Sequence, residues 1–180
     1  TPLYSSAASD VYKRQSLRNQ GRSVSRDREW LSHEALGYNY RMSDINAALG
    51  LAQLERISGI LKKRERAANI YTKLLSDVEE VTAPAFSLAT GVRISWFVYV
   101  LLLSKKFTLR DRDGLIQFLR GKGVGCANYF PVIHLQRFYR QNFGFRKGDF
   151  PVAESVSKRT IALPFYTNIT RESITRAVST

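Results

Sequence analysis

The longest periodic pattern of apolar residues in this chain begins at Asp44. Apolar residues recur there every three or four positions for about 30 residues, which predicts a long helix. Ser43 is a suitable N-cap, and the carboxylate of Asp44 lies at the positive end of the predicted helix dipole. The pair Ser58–Gly59 predicts a kink or break, because glycine weakens a helix interior by about 1 kcal/mol. The apolar positions are Ile45, Ala48, Leu49, Ala52, Ile57, Leu61, Ile70, Tyr71 and Leu74.

Beyond Pro84 the pattern predicts short strands that alternate with helices. Residues 95–103 (SWFVYVLLL) are aromatic or branched on both alternating faces, as in a central strand that is covered on both sides. Shorter strands are predicted at 124–127 and 160–163, with an aromatic loop over 128–139. Helix starts are predicted at Thr108, which forms a capping-box pattern with Asp111, at Pro151 and at Thr170. The predicted fold class is α+β (mixed α/β), a few-stranded sheet covered by helices and preceded by the long helix.

The first 15 residues, TPLYSSAASDVYKRQ, show neither a helical nor a strand pattern. They resemble the read-through peptides that sequencing adapters leave on assembled metagenomic reading frames. We therefore expect residues 1–15 to be a non-biological or disordered tail. Residues 16–28 are rich in Arg and Ser, which predicts a loop or a short exposed helix, and Trp30 is expected to pack in the core.

The composition is that of a folded domain. With 180 residues, of which 44% are apolar and 12% aromatic, the chain can bury a core, so disorder over its whole length is excluded. The single cysteine, Cys126, excludes an internal disulfide and a Cys-rich zinc module, and we expect it to be a buried apolar residue. The longest uncharged apolar run, residues 94–104, is about half of the roughly 20 residues that a membrane helix needs. Without a signal-peptide pattern, we expect a cytoplasmic protein with no membrane partner.

Lysine and arginine outnumber aspartate and glutamate by 28 to 15, which gives a net charge of +13. Such an excess is typical of proteins that bind nucleic acid, but here the cations are spread along the whole chain. The one tight run, Lys62–Arg66, lies on a predicted helix and includes Glu65, as expected for a solvated helix face. A dispersed positive field also suits an enzyme whose ligands carry phosphate groups.

Four segments, in order along the chain, resemble one enzyme family. They are HEALGYNYRMSDINAALGLAQLERI (33–57), SWFVYVLLL (95–103), GVGCANYFPVIHLQRFY (123–139) and GDFPVAESVSKRTIALPFY (148–166). Together they resemble the DegT/DnrJ/EryC1/StrS family, the PLP-dependent aminotransferases of nucleotide-sugar biosynthesis. The resemblance extends over about residues 16–180. It implies the end of the large domain with a cofactor and interface loop at 16–42, then the long helix and C-terminal small domain of a fold-type I aminotransferase at 43–180.

The resemblance also implies that the catalytic lysine lies outside this chain. In the family, the lysine that forms the Schiff base with PLP lies upstream, shortly before a Gly-Glu-Gly segment. None of the nine lysines of this chain has such a context. PLP chemistry needs an amine to hold the cofactor aldehyde and a base to move the substrate proton. We therefore expect the C-terminal half of an aminotransferase, inactive on its own, that would work as a homodimer when intact.

Asn39 and Arg41 are the residues that the resemblance implies for the cofactor and the substrate. In the family the Asn of the GYN motif reaches across the dimer interface to the PLP phosphate, and an amide can donate to a phosphate oxygen without adding charge. The alternative is a loop asparagine that caps the following helix. The Arg41 guanidinium suits bidentate contact with the substrate diphosphate or the cofactor phosphate, and the alternative is an interface ion pair. Tyr38 and Tyr40 are expected to pack at the interface.

Tyr129 and His134 belong to the aromatic loop, which the resemblance places near the substrate. An imidazole there can donate to sugar or phosphate oxygens, but a lone histidine is also commonly a packed core residue. Because His33 and His134 are the only histidines and no carboxylate pattern surrounds them, no metal site is expected. Trp96, on the predicted strand, is expected to belong to the core.

The sequence leaves functions of different classes open. The first is an aminotransferase part that, in the intact enzyme, moves an amino group, with glutamate as the implied donor, onto a keto-sugar carried on a nucleoside diphosphate, in amino-sugar or surface-polysaccharide biosynthesis. PLP is its implied cofactor. The second is a stand-alone basic α/β module that contacts nucleic acid or an acidic partner, which only the net charge supports. A third is a regulatory homologue that naturally lacks the lysine.

Overall fold

The computed structural model describes residues 7–22, 32–84 and 94–180, so Trp30 lies outside the described residues. The chain divides into two compact units, Thr1–Glu55 and Arg56–Thr180. The sequence predicts a domain boundary after residue 42, and the domain bounds 16–42 and 43–180 stay a prediction. The elements in chain order are α1 (Ala7–Arg18), α2 (Asp44–Glu55), α3 (Ile57–Leu74), β1 (Val81–Thr82), β2 (Tyr99–Leu103), α4 (Leu109–Gly121), a 3-10 turn (Ile133–Leu135), α5 (Arg137–Phe143), α6 (Pro151–Ser157), β3 (Thr160–Leu163) and α7 (Arg171–Ser179).

Helix α1 corrects the expectation of a disordered tail for residues 7–15. It covers Ala7–Arg18, with Asp10 in its first turn and Arg18 in its last turn, where both charges suit the helix dipole. Residues 10–15 are all exposed. A helix that is exposed over residues 10–15 needs no apolar stripe there, so the apolar pattern does not predict it.

The sequence predicts one long helix that kinks or breaks at Ser58–Gly59. The structure has two helices, α2 and α3, in its place. Ser43 caps α2 as predicted, because its Oγ lies 3.4 Å from the Asn46 backbone N. The break lies at Arg56, two residues before the predicted position, and α3 continues through Gly59. Nothing lies within 4 Å of the place where a Gly59 Cβ would be, so the glycine marks an open helix face rather than a kink.

The described strands form a three-stranded antiparallel sheet in the order β1-β2-β3. Strand β2 is central, as predicted, with Tyr99 opposite Leu163 and Val81 of β1 opposite Leu103. It begins at Tyr99 rather than at residue 95. The expectation that both faces are covered holds for one face only. Tyr99, Leu101 and Leu103 are buried, whereas Val100 and Leu102 are half-buried.

Residues 124–127 are not a strand, in contrast to the prediction. Their one ladder contact is an isolated antiparallel bridge between Ala127 and Ala162. The Val124 N–H donates to the Leu119 carbonyl at 2.9 Å, so the start of the segment closes the end of α4 and Ala127 alone bridges to β3. Strand β1 was missed because two residues are too few to show an alternation. The predicted loop over 128–139 contains the 3-10 turn and the start of α5.

The core of the second unit is built on an aromatic stack. The ring of Tyr71 on α3 stacks on Tyr99 of β2 at 4.8 Å, and Trp96 lies 5.9 Å from Tyr99, which confirms Trp96 as a core residue. The Tyr71 hydroxyl donates to the Pro164 carbonyl at 2.7 Å, and burial raises the pKa of Tyr71. Cys126 is buried with its Sγ 3.7 Å from the Ile116 carbonyl, and burial raises the pKa of this thiol. These contacts fix α3 and α4 against the sheet.

The predicted helix starts of the second unit are confirmed by their caps. At α4 the Thr108 Oγ1 accepts from the Asp111 N–H at 3.3 Å, and the Asp111 carboxylate accepts from the Thr108 N–H at 2.7 Å. Thr170 caps α7 by accepting from the Ser173 N–H at 3.2 Å, and Pro151 is the first residue of α6. Within the described ranges, no helix is both long and apolar enough to cross a bilayer.

Candidate functional site

The loop that carries Asn39 is held by backbone hydrogen bonds to the end of α1. The Tyr38 N–H donates to the Leu17 carbonyl at 2.7 Å, and the Tyr40 N–H donates to the Arg18 carbonyl at 2.9 Å. In return, the Gln20 N–H donates to the Tyr38 carbonyl at 2.9 Å. Asn39 therefore lies between two backbone anchors, which fix the position of its Cα although its side chain is exposed.

Two glycines allow this close approach. Gly21 has φ of +72°, and a Cβ there would lie 1.7 Å from the Ala35 carbonyl oxygen. A Cβ on Gly37 would lie 2.0 Å from the Gly21 N, so only glycine fits at this crossing. The GYN motif therefore needs its glycine for packing, and the asparagine two residues later is held in place by it.

The Asn39 and Arg41 side chains bond to each other. The Arg41 Nε donates to the Asn39 Oδ1 at 2.9 Å, and both side chains are exposed. This bond uses Oδ1 as the acceptor, so Arg41 does not engage the Nδ2 donor of the exposed amide. The alternative role for Asn39, capping of the following helix, does not apply because Ser43 caps α2.

This pair fits a phosphate group. The Asn39 Nδ2 and the terminal nitrogens of Arg41 are all donors, and one of the two side chains is cationic, as phosphate recognition requires. Tyr38 and Tyr40 flank Asn39, and their rings stack at 5.1 Å while remaining 53% and 71% exposed. The loop thus offers donors and an aromatic pair on a surface that is exposed among the described residues.

His134 lies in the second unit and is buried, with 8% of its surface exposed. Its Nε2 lies 3.0 Å from the Glu154 Oε1. A carboxylate only accepts hydrogen bonds, so Nε2 is the ring nitrogen that donates to Glu154. The rings of Phe150 and Phe145 pack against the imidazole at 4.8 and 6.4 Å.

Glu154 joins the candidate site through its contact with His134, and the sequence did not reveal it. It lies in the first turn of α6 and is buried, and its Oε1 accepts from the Gly148 N–H at 2.7 Å as well as facing His134. The Gly148 hydrogen bond and then the His134 contact hold the pKa of Glu154 below its usual value. The available signal was a carboxylate in the turn that follows Pro151, which the helix dipole favours.

Tyr129 lies in the same unit as His134. Its carbonyl accepts from the Thr160 Oγ1 at 2.7 Å, which ties the loop to β3, and its ring stacks on Phe130 at 4.1 Å. Asn39 and Arg41 belong to the other compact unit. No cluster of three His, Cys, Asp or Glu side chains suited to a metal ion occurs in the described part of the chain.

Comparison with known proteins decides which family this chain comes from. The sequence profile of the DegT/DnrJ/EryC1/StrS aminotransferase family matches residues 8–180. The chain belongs to this family. Membership confirms the resemblance and favours an enzyme over the stand-alone binding module. The match begins at residue 8, so it includes nearly all of α1.

Several members of the family are similar to this chain. GDP-perosamine synthase of Vibrio cholerae is 31% identical over 158 residues, which are 88% of this chain and 41% of the relative. A dTDP-4-amino-4,6-dideoxy-D-glucose transaminase of Escherichia coli is 31% identical over 81% of this chain and 39% of its own. The PLP form of the putative sugar aminotransferase Spr1654 of Streptococcus pneumoniae has the same fold, with a TM-score of 0.81 at 24% sequence identity. The match covers 99% of this chain and 44% of the Spr1654 chain. The chain spans less than half the length of each.

Proposed function

We propose that this DegT-family chain contributes the phosphate-contacting loop and the small domain of a PLP-dependent sugar aminotransferase. Its reaction would transfer an amino group from glutamate to a keto-sugar carried on a nucleoside diphosphate, in the cytoplasm. The observation that carries the proposal is the exposed Asn39 amide, which Arg41 and the two backbone anchors hold in place in a chain of an aminotransferase family. Two relatives are named for acting on GDP- and dTDP-linked sugars, which supports this substrate class.

PLP, when bound, supplies the electron sink that lets an amino group move between two carbon skeletons. The role of the Asn39 Nδ2 is to donate to a phosphate oxygen of that cofactor. Arg41 fixes the rotamer of the amide through its Nε and adds a positive charge beside the phosphate. Both residues bind and orient, and neither moves a proton in the reaction.

His134 and Tyr129 are proposed to contact the sugar. Glu154 holds the His134 Nε2, so Nδ1 is the ring nitrogen left to contact the sugar. The buried pair also gives the imidazole one orientation, since its other neighbours are the rings of Phe145 and Phe150. Tyr129 belongs to the same unit as His134, and the Thr160 hydroxyl ties its loop to β3.

A second copy of the chain is the proposed partner. Helix α2 buries none of its residues, and its apolar side chains are 61–82% exposed at four positions, Ile45, Leu49, Leu51 and Leu54. A helix that is apolar and uncovered needs a protein surface to pack against. Asn39 lies on the loop that leads into this helix, so a homodimer would cover α2 and present the amide to the neighbouring subunit.

The test is cofactor retention in the longest reading frame that contains this chain. We expect that frame to encode a lysine shortly before Gly-Glu-Gly and to bind PLP. Asn39→Ala should lower the PLP occupancy after gel filtration while the far-UV circular dichroism stays unchanged. Asn69→Ala, which removes an exposed amide from α3, is the matched control and should retain wild-type occupancy. Equal occupancy in both variants would remove Asn39 from the site.

A further inference from the structure

An arginine-lined cleft lies beside helix α5 in the second unit. Its volume is about 570 Å³, within the range of about 300–1,000 Å³ that is typical of small-molecule sites. Arg137, Arg140 and Arg146 line it, together with Gln141 and the ring of Phe145. All three arginines are exposed, so their guanidinium groups keep free donors toward the cleft.

The charged residues that line this cleft are all positive. The two clefts along α3 each include a carboxylate, Glu65 in one and Glu172 in the other. Asp149, in the same turn as Arg146, accepts from the Arg146 backbone N–H at 2.8 Å and does not line the cleft. The opposing negative end of α5 amounts to about half a charge, against three full positive charges. The cleft therefore favours an anion that carries more than one negative charge.

The geometry points to a binding site for a diphosphate group. A guanidinium presents two parallel N–H donors that match two phosphate oxygens, so arginine suits phosphate better than a point charge does. Three such groups around one cleft can each meet a different oxygen of two linked phosphates, whereas a single carboxylate would leave donors unused. Gln141 adds an uncharged donor and acceptor at the same rim.

Phe145 connects the cleft to the buried pair. Its ring lines the cleft on one side and lies edge-on to His134 at 6.4 Å. The diphosphate could therefore come from the nucleotide-sugar substrate, a source that rests on the proposed function. It could equally come from a free nucleoside diphosphate that binds without reacting. The chemistry of the cleft is the same for both sources.

The test is a titration of the full chain with inorganic pyrophosphate at low salt, in which calorimetry measures the affinity. The Arg137→Gln/Arg140→Gln variant should bind pyrophosphate at least about tenfold more weakly, because two charge-assisted contacts are lost. Lys62→Gln/Arg66→Gln, which removes the same charge from a cleft on α3, is the matched control and should stay within about twofold of wild type. Near-UV circular dichroism checks folding, and Arg137→Lys/Arg140→Lys, which keeps the charge, should bind with intermediate affinity.

Three results would overturn the assignment. They are no pyrophosphate binding by the wild type, equal loss of affinity in the two Gln variants, and full affinity in the Arg137→Gln/Arg140→Gln variant.

A kinetic experiment on the longest reading frame distinguishes the two sources of the diphosphate. A higher KM for a keto-sugar carried on UDP at unchanged kcat indicates the substrate, whereas an unchanged KM with lost binding of UDP indicates a free nucleotide. Absence of transamination with intact pyrophosphate binding would refute the proposed function and leave the cleft in place.

Discussion

At the scale of single residues, Arg41 acts on Asn39 through geometry as well as charge. Its Nε donates to the Asn39 Oδ1 at 2.9 Å, a contact that an ammonium on a flexible stem does not reproduce. We therefore expect Arg41→Lys to weaken PLP binding about tenfold, nearly as much as Arg41→Gln, because both lose the oriented donor. The measurement is PLP affinity by absorbance titration of the longest reading frame. Wild-type affinity in Arg41→Lys would show that charge alone matters.

Glu154 gives the second residue-level prediction, on pH dependence. The Gly148 N–H and then His134 lower the pKa of Glu154 in the folded state below its ordinary value of 4.5. The ionised carboxylate therefore stabilises the fold above about pH 4.5, and this contribution is lost as the pH falls through the lower folded value. The stability difference between wild type and Glu154→Gln should be constant near neutrality and shrink below pH 4.5.

Urea unfolding between pH 3 and 7 measures this difference. Glu79→Gln, which removes an exposed carboxylate from a turn, is the matched control and should give a smaller difference at neutral pH. A difference between wild type and Glu154→Gln that does not change with pH would contradict the role assigned to the buried pair.

At the scale of elements, the loop that carries Asn39 depends on a glycine crossing. Gly37→Ala places a Cβ 2.0 Å from the Gly21 N, so backbone must shift at a cost of about 1–3 kcal/mol. Gly114→Ala in α4 is the opposite case, since nothing lies within 4 Å of its Cβ. That substitution should stabilise by about 0.4–1 kcal/mol. Denaturant unfolding distinguishes the two, and a neutral Gly37→Ala would show that the crossing can relax.

The elements also show why part of the structure was predictable from sequence. Thr108 with Asp111 is a local signal, and the capping box forms as predicted because its partners are three residues apart. The break at Arg56 and the lost strand at 124–127 depend on contacts that sequence spacing does not contain, such as the Val124 bond to Leu119. The partner of His134 is 20 residues away on another helix, so its pairing with Glu154 emerged only from the fold. Motif resemblance supplied Asn39, but not the bond from Arg41 that orients it.

At the scale of the whole molecule, the surface combines a charge of +13 with large uncovered apolar areas. The charge opposes association, whereas burial of apolar surface contributes about 25 cal/mol for each Å² and favours it. Helix α2 decides the balance, because Leu49 and Leu54 are 61% and 65% exposed on a helix without a buried face. Association should therefore strengthen as salt screens the charges, in contrast to binding of an anionic partner, which salt weakens.

The last prediction concerns self-association through the exposed apolar face of α2. Leu49→Gln/Leu54→Gln should shift the chain toward the monomer in sedimentation velocity, because each substitution removes about 2 kcal/mol of favourable apolar burial from a packed interface. Leu109→Gln/Val152→Gln removes two side chains that are 45% and 77% exposed on α4 and α6, and it should leave the association unchanged. If both double variants sediment alike, α2 is not the face that a second copy covers. The amide of Asn39, on the loop that leads into α2, would then need another route to a cofactor.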